Sequence, residues 1–135
     1  MVDPIPRLLI VDDDEEFLEI IERRFSRRGF SVAAFGVCQD AAAAAGRQRF
    51  DAAIVDRSLL GAVDLELVIR LKSVDAELPV IVLSGWSGAA YVAEANDAGA
   101  CEYLTKPCGL DELEAAVRRA LASRASDVSI GDVAR

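Results

Sequence analysis

Acidic residues follow two apolar runs of the sequence at the points where those runs stop. Leu-Leu-Ile-Val at residues 8–11 is followed by Asp12 and Asp13, and a second apolar run ends in Asp56. Neighbouring carboxylates repel one another, so acids that end a buried segment cost free energy unless water or a cation offsets their charge. Carboxylate oxygens are the ligands that hard divalent cations such as Mg²⁺ prefer. The acids therefore indicate either a solvated helix start or a cation site.

A hydroxyl and an ammonium group end two further apolar segments. Ser84 ends the run "LPVIVLS", and Lys106 ends the run "CEYLTK". A phosphoryl group bound near all of these residues would meet a carboxylate nucleophile, and Ser84 and Lys106 could bind its oxygens. These residue types are therefore suited to receive the charges of a phosphoryl group.

The elements that carry these residues follow a regular alternation of apolar runs and helical spacing. The predicted strands cover residues 8–11, 31–35, 50–56, 78–85 and 101–107, and the predicted helices cover residues 14–28, 40–48, 65–74, 87–98 and 110–121. Five strands alternating with five helices, with apolar central strands, predict an α/β fold with a doubly wound parallel sheet. Ligands bind such sheets beyond the carboxyl ends of the strands, so we expect the acids, Ser84 and Lys106 to meet at one edge.

The last helix and the residues after it define the predicted domain boundary. Asp111 and Glu114 have the spacing of a capping box at the start of that helix. The chain becomes polar after it, so we expect residues 1–123 to form one domain and residues 124–135 to form a polar tail or the start of a linker.

Composition excludes several classes of function. The 135 residues include 15 Lys and Arg against 23 Asp and Glu, a net charge of −8, which disfavours direct binding to nucleic acid or to anionic membranes. Histidine is absent, so any phosphohistidine must come from a partner. Cys38, Cys101 and Cys108 are predicted to be reduced thiols. The sequence has no transmembrane-length apolar run and no leader pattern, which predicts a cytoplasmic protein.

Four motifs in order, "VDDD", "IVD", "VIVLSG" and "YLTKP", resemble the receiver domain of bacterial two-component response regulators, over about residues 7–123. The resemblance implies a flavodoxin-like fold with five helices and strand order 2-1-3-4-5. It also implies a phosphoacceptor regulator rather than an enzyme. Such a domain takes its phosphoryl group from a sensor histidine kinase or a histidine phosphotransfer protein in a Mg²⁺-dependent reaction.

The resemblance assigns the reacting residues by position. Asp56 matches the phosphoacceptor. Asp12, Asp13 and the backbone carbonyl of Ser58 match the other Mg²⁺ ligands, with Asp56 completing the set. Lys106 matches the lysine that pairs with the phosphoryl group.

Further residues match the switch and the rim of the pocket. Ser84 matches the hydroxyl that turns toward the phosphoryl group, and Tyr103 matches the aromatic residue that moves with it. Gly85, Trp86 and Pro107 flank the pocket, and Pro107 follows the lysine where the family often has a cis peptide. Because Trp86 borders the path of the hydrolytic water, its bulk predicts slow loss of the phosphoryl group. The fourth helix, fifth strand and fifth helix would form the surface that changes.

The loop after Asp56 departs from the family pattern. Leu60 stands where proline is usual, and Val63 and Asp64 stand where an Asp-Gly pair is usual. Loss of proline and glycine changes the conformational freedom of this loop, which bears on kinase docking.

Three alternative functions fit parts of the sequence. The first is a receiver-like interaction module that signals without phosphorylation. The second is an aspartate-nucleophile phosphatase, which needs a second acid two residues after the nucleophile, where this chain has Ser58. The third is a flavin-binding protein, which the acidic strand ends disfavour. The downstream protein target is unknown, and both a monomer and a phosphorylation-linked dimer fit the sequence.

Overall fold

A five-stranded parallel sheet forms the centre of the protein. The computed structural model describes residues 5–57 and 65–133, with side chains up to residue 124. The strands are β1 (Arg7–Val11), β2 (Ser31–Phe35), β3 (Ala52–Asp56), β4 (Val80–Ser84) and β5 (Glu102–Thr105). They lie in the order β2-β1-β3-β4-β5 and all four neighbouring pairs are parallel. The predicted sheet and its strand order are confirmed.

Five helices connect and cover the strands in the described part of the chain. They are α1 (Glu15–Arg27), α2 (Cys38–Arg47), α3 (Glu66–Val74), α4 (Ala89–Ala98) and α5 (Leu110–Val133). None of these helices combines the length and the hydropathy that crossing a bilayer requires.

Both faces of the sheet are buried, which is why the central strands are apolar between their end residues. Leu9 and Val11 of β1 belong to a cluster with residues of α2, α3 and α4. Leu8 and Ile10 belong to a second cluster with residues of α1 and α5. Successive side chains of a strand point to opposite faces, so one short run supplies both cores. The helices therefore cover the sheet on both sides, as a doubly wound fold requires.

Local capping sets the start of α1 and the end of α4. Asp14 precedes α1 and its side chain accepts a hydrogen bond from the Phe17 N–H at 3.1 Å, the usual arrangement of an N-cap. Gly99 ends α4 in the left-handed conformation with φ at 115°, which favours glycine over residues with a Cβ.

The start of α5 differs from the predicted capping box. The helix begins at Leu110, and the Leu113 N–H donates to the Gly109 carbonyl, so Asp111 lies inside the first turn. Glu114 does not bond back to the helix start. Its carboxylate instead accepts hydrogen bonds from Arg118 and from Arg24 of α1. Cross-helix ion pairing therefore replaces the local cap.

The end of α5 also differs from the prediction, because the helix continues through Val133 instead of becoming irregular near residue 123. Arg124 extends the contact of this helix with the domain: it donates to the Phe50 carbonyl at 3.1 Å and to Asp75 at 2.9 Å. The following residues contain no proline and no glycine before Gly131, so nothing local stops the helix. Whether this segment acts as a linker stays a prediction.

Candidate functional site

Three carboxylates meet at the carboxyl edge of the sheet. Asp12 and Asp13 directly follow β1, and Asp56 is the last residue of β3. One carboxylate oxygen of each residue lies within 4.8 Å of the others. Asp12 and Asp56 are each only 1% exposed, whereas Asp13 is open to solvent. Two of the three negative charges are thus placed where water solvates them poorly.

Strand register explains this convergence. Val11 of β1 lies beside Val55 of β3, so the next residue of each strand is an aspartate at the same height. Asp12 continues the β1–β2 pairing by donating its N–H to the Phe35 carbonyl at 3.0 Å. Its carboxylate accepts a hydrogen bond from the Asp14 N–H at 2.9 Å, which fixes the side chain at the turn into α1.

Lys106 brings a positive charge to the two buried carboxylates. Its Nζ lies 3.2 Å from Asp12 Oδ2 and 3.3 Å from Asp56 Oδ1. The Lys106 N–H donates to the Ser84 carbonyl at 2.7 Å, so the end of β4 fixes the backbone that carries the lysine. The peptide bond between Lys106 and Pro107 is cis.

Burial and neighbouring charges change the ionisation of this group. Burial raises the pKa of Asp12 to about 6; the neighbouring Asp56 raises it too, while the Asp14 N–H and Lys106 act to lower it. Burial alone would lower the pKa of Lys106, but Asp56 and Asp12 outweigh that effect and raise it. The lysine therefore stays protonated near neutral pH.

The donor set fits a hard divalent cation. Carboxylates outnumber the single ammonium group three to one, and the candidate ligand atoms of these residues are all oxygens. Mg²⁺ and Ca²⁺ both favour oxygen ligands. Asp12, Asp13 and Asp56 are the described residues that would hold such an ion. The carbonyl of Ser58, the further predicted ligand, lies outside the described residues, as do Leu60, Val63 and Asp64.

Ser84 and Tyr103 are joined through the backbone of Trp86. Ser84 is fully buried at the end of β4, and its Oγ accepts a hydrogen bond from the Trp86 N–H at 3.0 Å. The Tyr103 hydroxyl donates to the Trp86 carbonyl. Both polar groups of one peptide residue are thus held by the two predicted switch residues. Gly85 lies between Ser84 and Trp86, and a Cβ at that position would meet open space.

Arg57 is a residue of this region that the sequence reasoning missed. It directly follows Asp56 and is only 3% exposed. Its guanidinium donates to the Tyr91 carbonyl at 3.0 Å and to the Glu94 carboxylate at 2.6 Å, and it lies 5.6 Å from the centre of the Trp86 ring. The sequence offered one signal for it, a single arginine directly after a mostly apolar strand.

The cysteines lie outside this arrangement, as free thiols. Burial and the neighbouring Glu112 raise the pKa of Cys108 to about 11, which keeps its thiol protonated. No role in the site follows for it.

Comparison with known proteins agrees with the fold and the position of the site. Residues 8–118 match the family described as "Response regulator receiver domain". The chain belongs to the response-regulator receiver family. This match includes residues of all five strands and both acidic strand ends.

Curated relatives are similar to this receiver domain over most of its length. It is 36% identical over 121 residues to the transcriptional regulatory protein PrrA of Mycobacterium tuberculosis, covering 90% of this chain and 52% of that protein. It is 34% identical over 128 residues to the response regulator MprA of Mycobacterium leprae, covering 95% of this chain and 56% of that protein. The chain therefore spans about half the length of the relatives it matches.

Solved structures share the receiver fold. A CheY-like receiver domain protein from Methanospirillum hungatei superimposes with a TM-score of 0.86 at 22% identity, covering 92% of this chain and 99% of that one. A response regulator from Burkholderia pseudomallei, solved with a phosphorylated aspartic acid, calcium ion and citrate, gives a TM-score of 0.77 at 29% identity. That match covers 94% of this chain and 72% of the other.

Proposed function

We propose that this receiver domain accepts a phosphoryl group on Asp56 from a phosphohistidine of a partner kinase or phosphotransfer protein. The observation that carries the proposal is the position of Asp56: buried at the end of β3, beside Lys106 at 3.3 Å and with two further carboxylates within 4.8 Å. The phosphorylated aspartic acid and calcium ion of the Burkholderia relative support the same chemistry.

The transfer exchanges one bond to phosphorus for another. A carboxylate oxygen of Asp56 attacks phosphorus, the bond from phosphorus to the histidine nitrogen breaks, and that nitrogen keeps the electron pair. Lys106 is placed to pair with the phosphoryl oxygens as their charge grows. A divalent ion, when bound, would supply charge neutralisation between the carboxylates and the phosphoryl oxygens. Water later attacks phosphorus and releases the Asp56 carboxylate.

The resulting acyl phosphate would bias a two-state equilibrium of the domain. A phosphoryl oxygen on Asp56 offers a new acceptor for the Ser84 hydroxyl, whose oxygen now accepts from the Trp86 N–H. The Tyr103 hydroxyl donates to the carbonyl of Trp86, so a movement of Ser84 that shifts Trp86 would also shift Tyr103 in β5 and the start of α4. The α4, β5 and α5 surface is where we expect a downstream protein target to read the state. In this proposal the domain meets both its kinase and its target in the cytoplasm.

The experiment that tests the function is intact-protein mass spectrometry after incubation with a small acyl phosphate, with and without Mg²⁺. We expect a single phosphoryl adduct on the wild type that requires Mg²⁺ and is absent from Asp56→Asn. Asp40→Asn, on the exposed surface of α2, is the matched control and should form the adduct normally.

Two results would overturn this function. An adduct that persists in Asp56→Asn would place the chemistry on another residue. A wild type that binds Mg²⁺ but forms no adduct would favour the phosphorylation-independent interaction module.

A further inference from the structure

The Arg57 side chain connects the end of the acceptor strand to helix α4. Arg57 is adjacent in sequence to Asp56, and its guanidinium reaches the Tyr91 carbonyl and the Glu94 carboxylate. Both partners lie on α4, 34 and 37 residues further along the chain. A charged group this deeply buried needs partners for its charge and its N–H groups. Loss of these contacts would therefore leave a buried charge uncompensated and cost free energy.

Two aromatic rings complete the surroundings of this guanidinium. It lies 5.0 Å from the centre of the Tyr91 ring and 5.6 Å from the centre of the Trp86 ring. The two rings stack on each other with centres 5.7 Å apart. Arginine over aromatic faces is attractive, so the guanidinium also holds the loop between β4 and α4 through Trp86.

Helix α4 has few other attachments to the core. Of its ten residues, all within the described chain, only Ala95 is buried, whereas α3 buries Leu67, Val68 and Leu71. Gly88 precedes α4 and provides no side-chain cap. Elements with little buried apolar surface open and shift most readily. The polar contacts of Arg57 therefore add to the few buried apolar contacts that hold α4 in place.

The same loop contains the predicted switch contacts. Trp86 supplies its ring to Arg57, its N–H to Ser84 and its carbonyl to Tyr103. A shift of the backbone near Asp56 would thus reach α4 by two routes, one through Ser84 and one through Arg57.

We propose that Arg57 is the positioning residue that couples the state of Asp56 to helix α4. This inference rests on the proposed phosphorylation of Asp56. Arg57 takes no part in bond making. It makes the end of β3, the loop after β4 and the first turns of α4 move as one unit, so that loss of Arg57 leaves phosphorylation intact and disconnects α4 from it.

Amide hydrogen exchange of the α4 segment, residues 89–98, measures this coupling in the full chain. Each variant is compared with and without an acyl phosphate and Mg²⁺, and intact mass reports the adduct in the same sample. In the wild type, phosphorylation should change α4 exchange by about fivefold or more. Arg57→Met should form the adduct at a similar rate, with most of that change lost.

Companion variants separate coupling from simple destabilisation. Glu94→Gln removes the charge of an exposed partner without altering the buried arginine, so it keeps the test available if Arg57→Met folds poorly. Arg57→Lys retains the charge but lacks the bidentate guanidinium. It should therefore show part of the α4 response that Arg57→Met loses. Adding Glu94→Gln to Arg57→Met should reduce the response no further, because both act through one contact. Arg70→Met, exposed on α3, should respond as the wild type does.

The outcomes distinguish this inference from the function on which it rests. No adduct on the wild type overturns the proposed function. An adduct on Arg57→Met and Glu94→Gln with an unchanged α4 response overturns the coupling role alone. An adduct on the wild type without any α4 response also overturns it.

Discussion

At the scale of single residues, the site places like charges together inside the protein. Asp12 and Asp56 are buried side by side, and Lys106 contacts both. One ammonium group compensates only part of this repulsion, and it does so while about 29% exposed to solvent. Residues selected for chemistry commonly reduce stability in this way. Removing one of the two buried carboxylates should therefore make the metal-free domain more stable.

We predict that Asp56→Asn raises the free energy of unfolding by roughly 1–2 kcal/mol in the absence of divalent cations, because it removes a buried like-charge contact. Asparagine keeps an oxygen that can accept a hydrogen bond from Lys106. Urea unfolding followed by circular dichroism in EDTA measures the change, with the exposed Asp40→Asn as the control. An Asp56→Asn protein less stable than the wild type would contradict this electrostatic account.

At the scale of elements, ion pairs attach the two outer helices of one face to each other and to the sheet. Glu114 of α5 accepts from Arg118 and Arg24 and lies 3.5 Å from Arg28, so α1 and α5 are joined through one carboxylate. Arg124 in the same helix donates to the carbonyl of Phe50, which lies just before β3 at the amino edge of the sheet. These contacts give α5 a fixed orientation that its small apolar stripe alone would not set.

The acid stability of the domain should depend on Glu114. Burial raises the pKa of Glu114, but the hydrogen bond from Arg118 and the charge of Arg28 outweigh it and hold the pKa below the ordinary 4.5. A carboxyl group with a lowered pKa stabilises the fold above about pH 4.5 and loses that effect as the pH falls.

We therefore expect Glu114→Gln to lower stability at pH 7 and to lose less stability than the wild type between pH 5 and pH 3. Urea midpoints measured across this pH range test the prediction. Parallel curves for the two proteins would show that the ion cluster contributes nothing to acid stability.

The extension of α5 should depend on Arg124. Arg124→Met removes donors to the Phe50 carbonyl and to Asp75, which we expect to lower the free energy of unfolding by about 1–2 kcal/mol. Hydrogen exchange should rise in the helix after residue 121. Arg119→Met is the matched control, since Arg119 pairs with Glu102 at an exposed position and should change stability by less than about 1 kcal/mol. Equal effects of the two variants would show that Arg124 does not anchor the helix.

At the scale of the whole molecule, a net charge of −8 surrounds a site made of oxygen ligands. The overall field attracts cations, and the three carboxylates at the carboxyl edge are of the ligand type that would hold one. An ion that binds only the folded state stabilises that state by an amount that grows with the logarithm of one plus the ratio of its concentration to the dissociation constant. The stability of this domain should therefore respond to divalent cations beyond the effect of ionic strength.

We predict that Mg²⁺ at ten times its dissociation constant raises the free energy of unfolding by about 1.4 kcal/mol. Asp13→Asn should weaken this response, because it removes the most accessible of the three carboxylates. The measurement is the urea midpoint against Mg²⁺ concentration, with NaCl of equal ionic strength as the control. A rise matched by NaCl would indicate general screening rather than a binding site.

The sequence by itself determined the order of the elements and the edge of the sheet at which the candidate site residues meet. Apolar runs, helical spacing and glycine ends are local signals, and each of them fixes one strand, helix or cap. Because parallel strands share one carboxyl edge, Asp12, Asp56 and Lys106 could be expected together from their positions at strand ends alone.

Only the tertiary structure decided which side chains connect that edge to the rest of the protein. Arg57 reaches Glu94 across 37 residues, and Arg124 reaches Phe50 across 74. Neither contact produces a periodic pattern in the sequence. An arginine side chain is long enough to reach many carboxylates and carbonyls, and only the packing of the fold decides which of them lies beside it. For the same reason the pairing of Glu114 differed from the local capping rule: contacts with another helix outweighed the preference of the helix start.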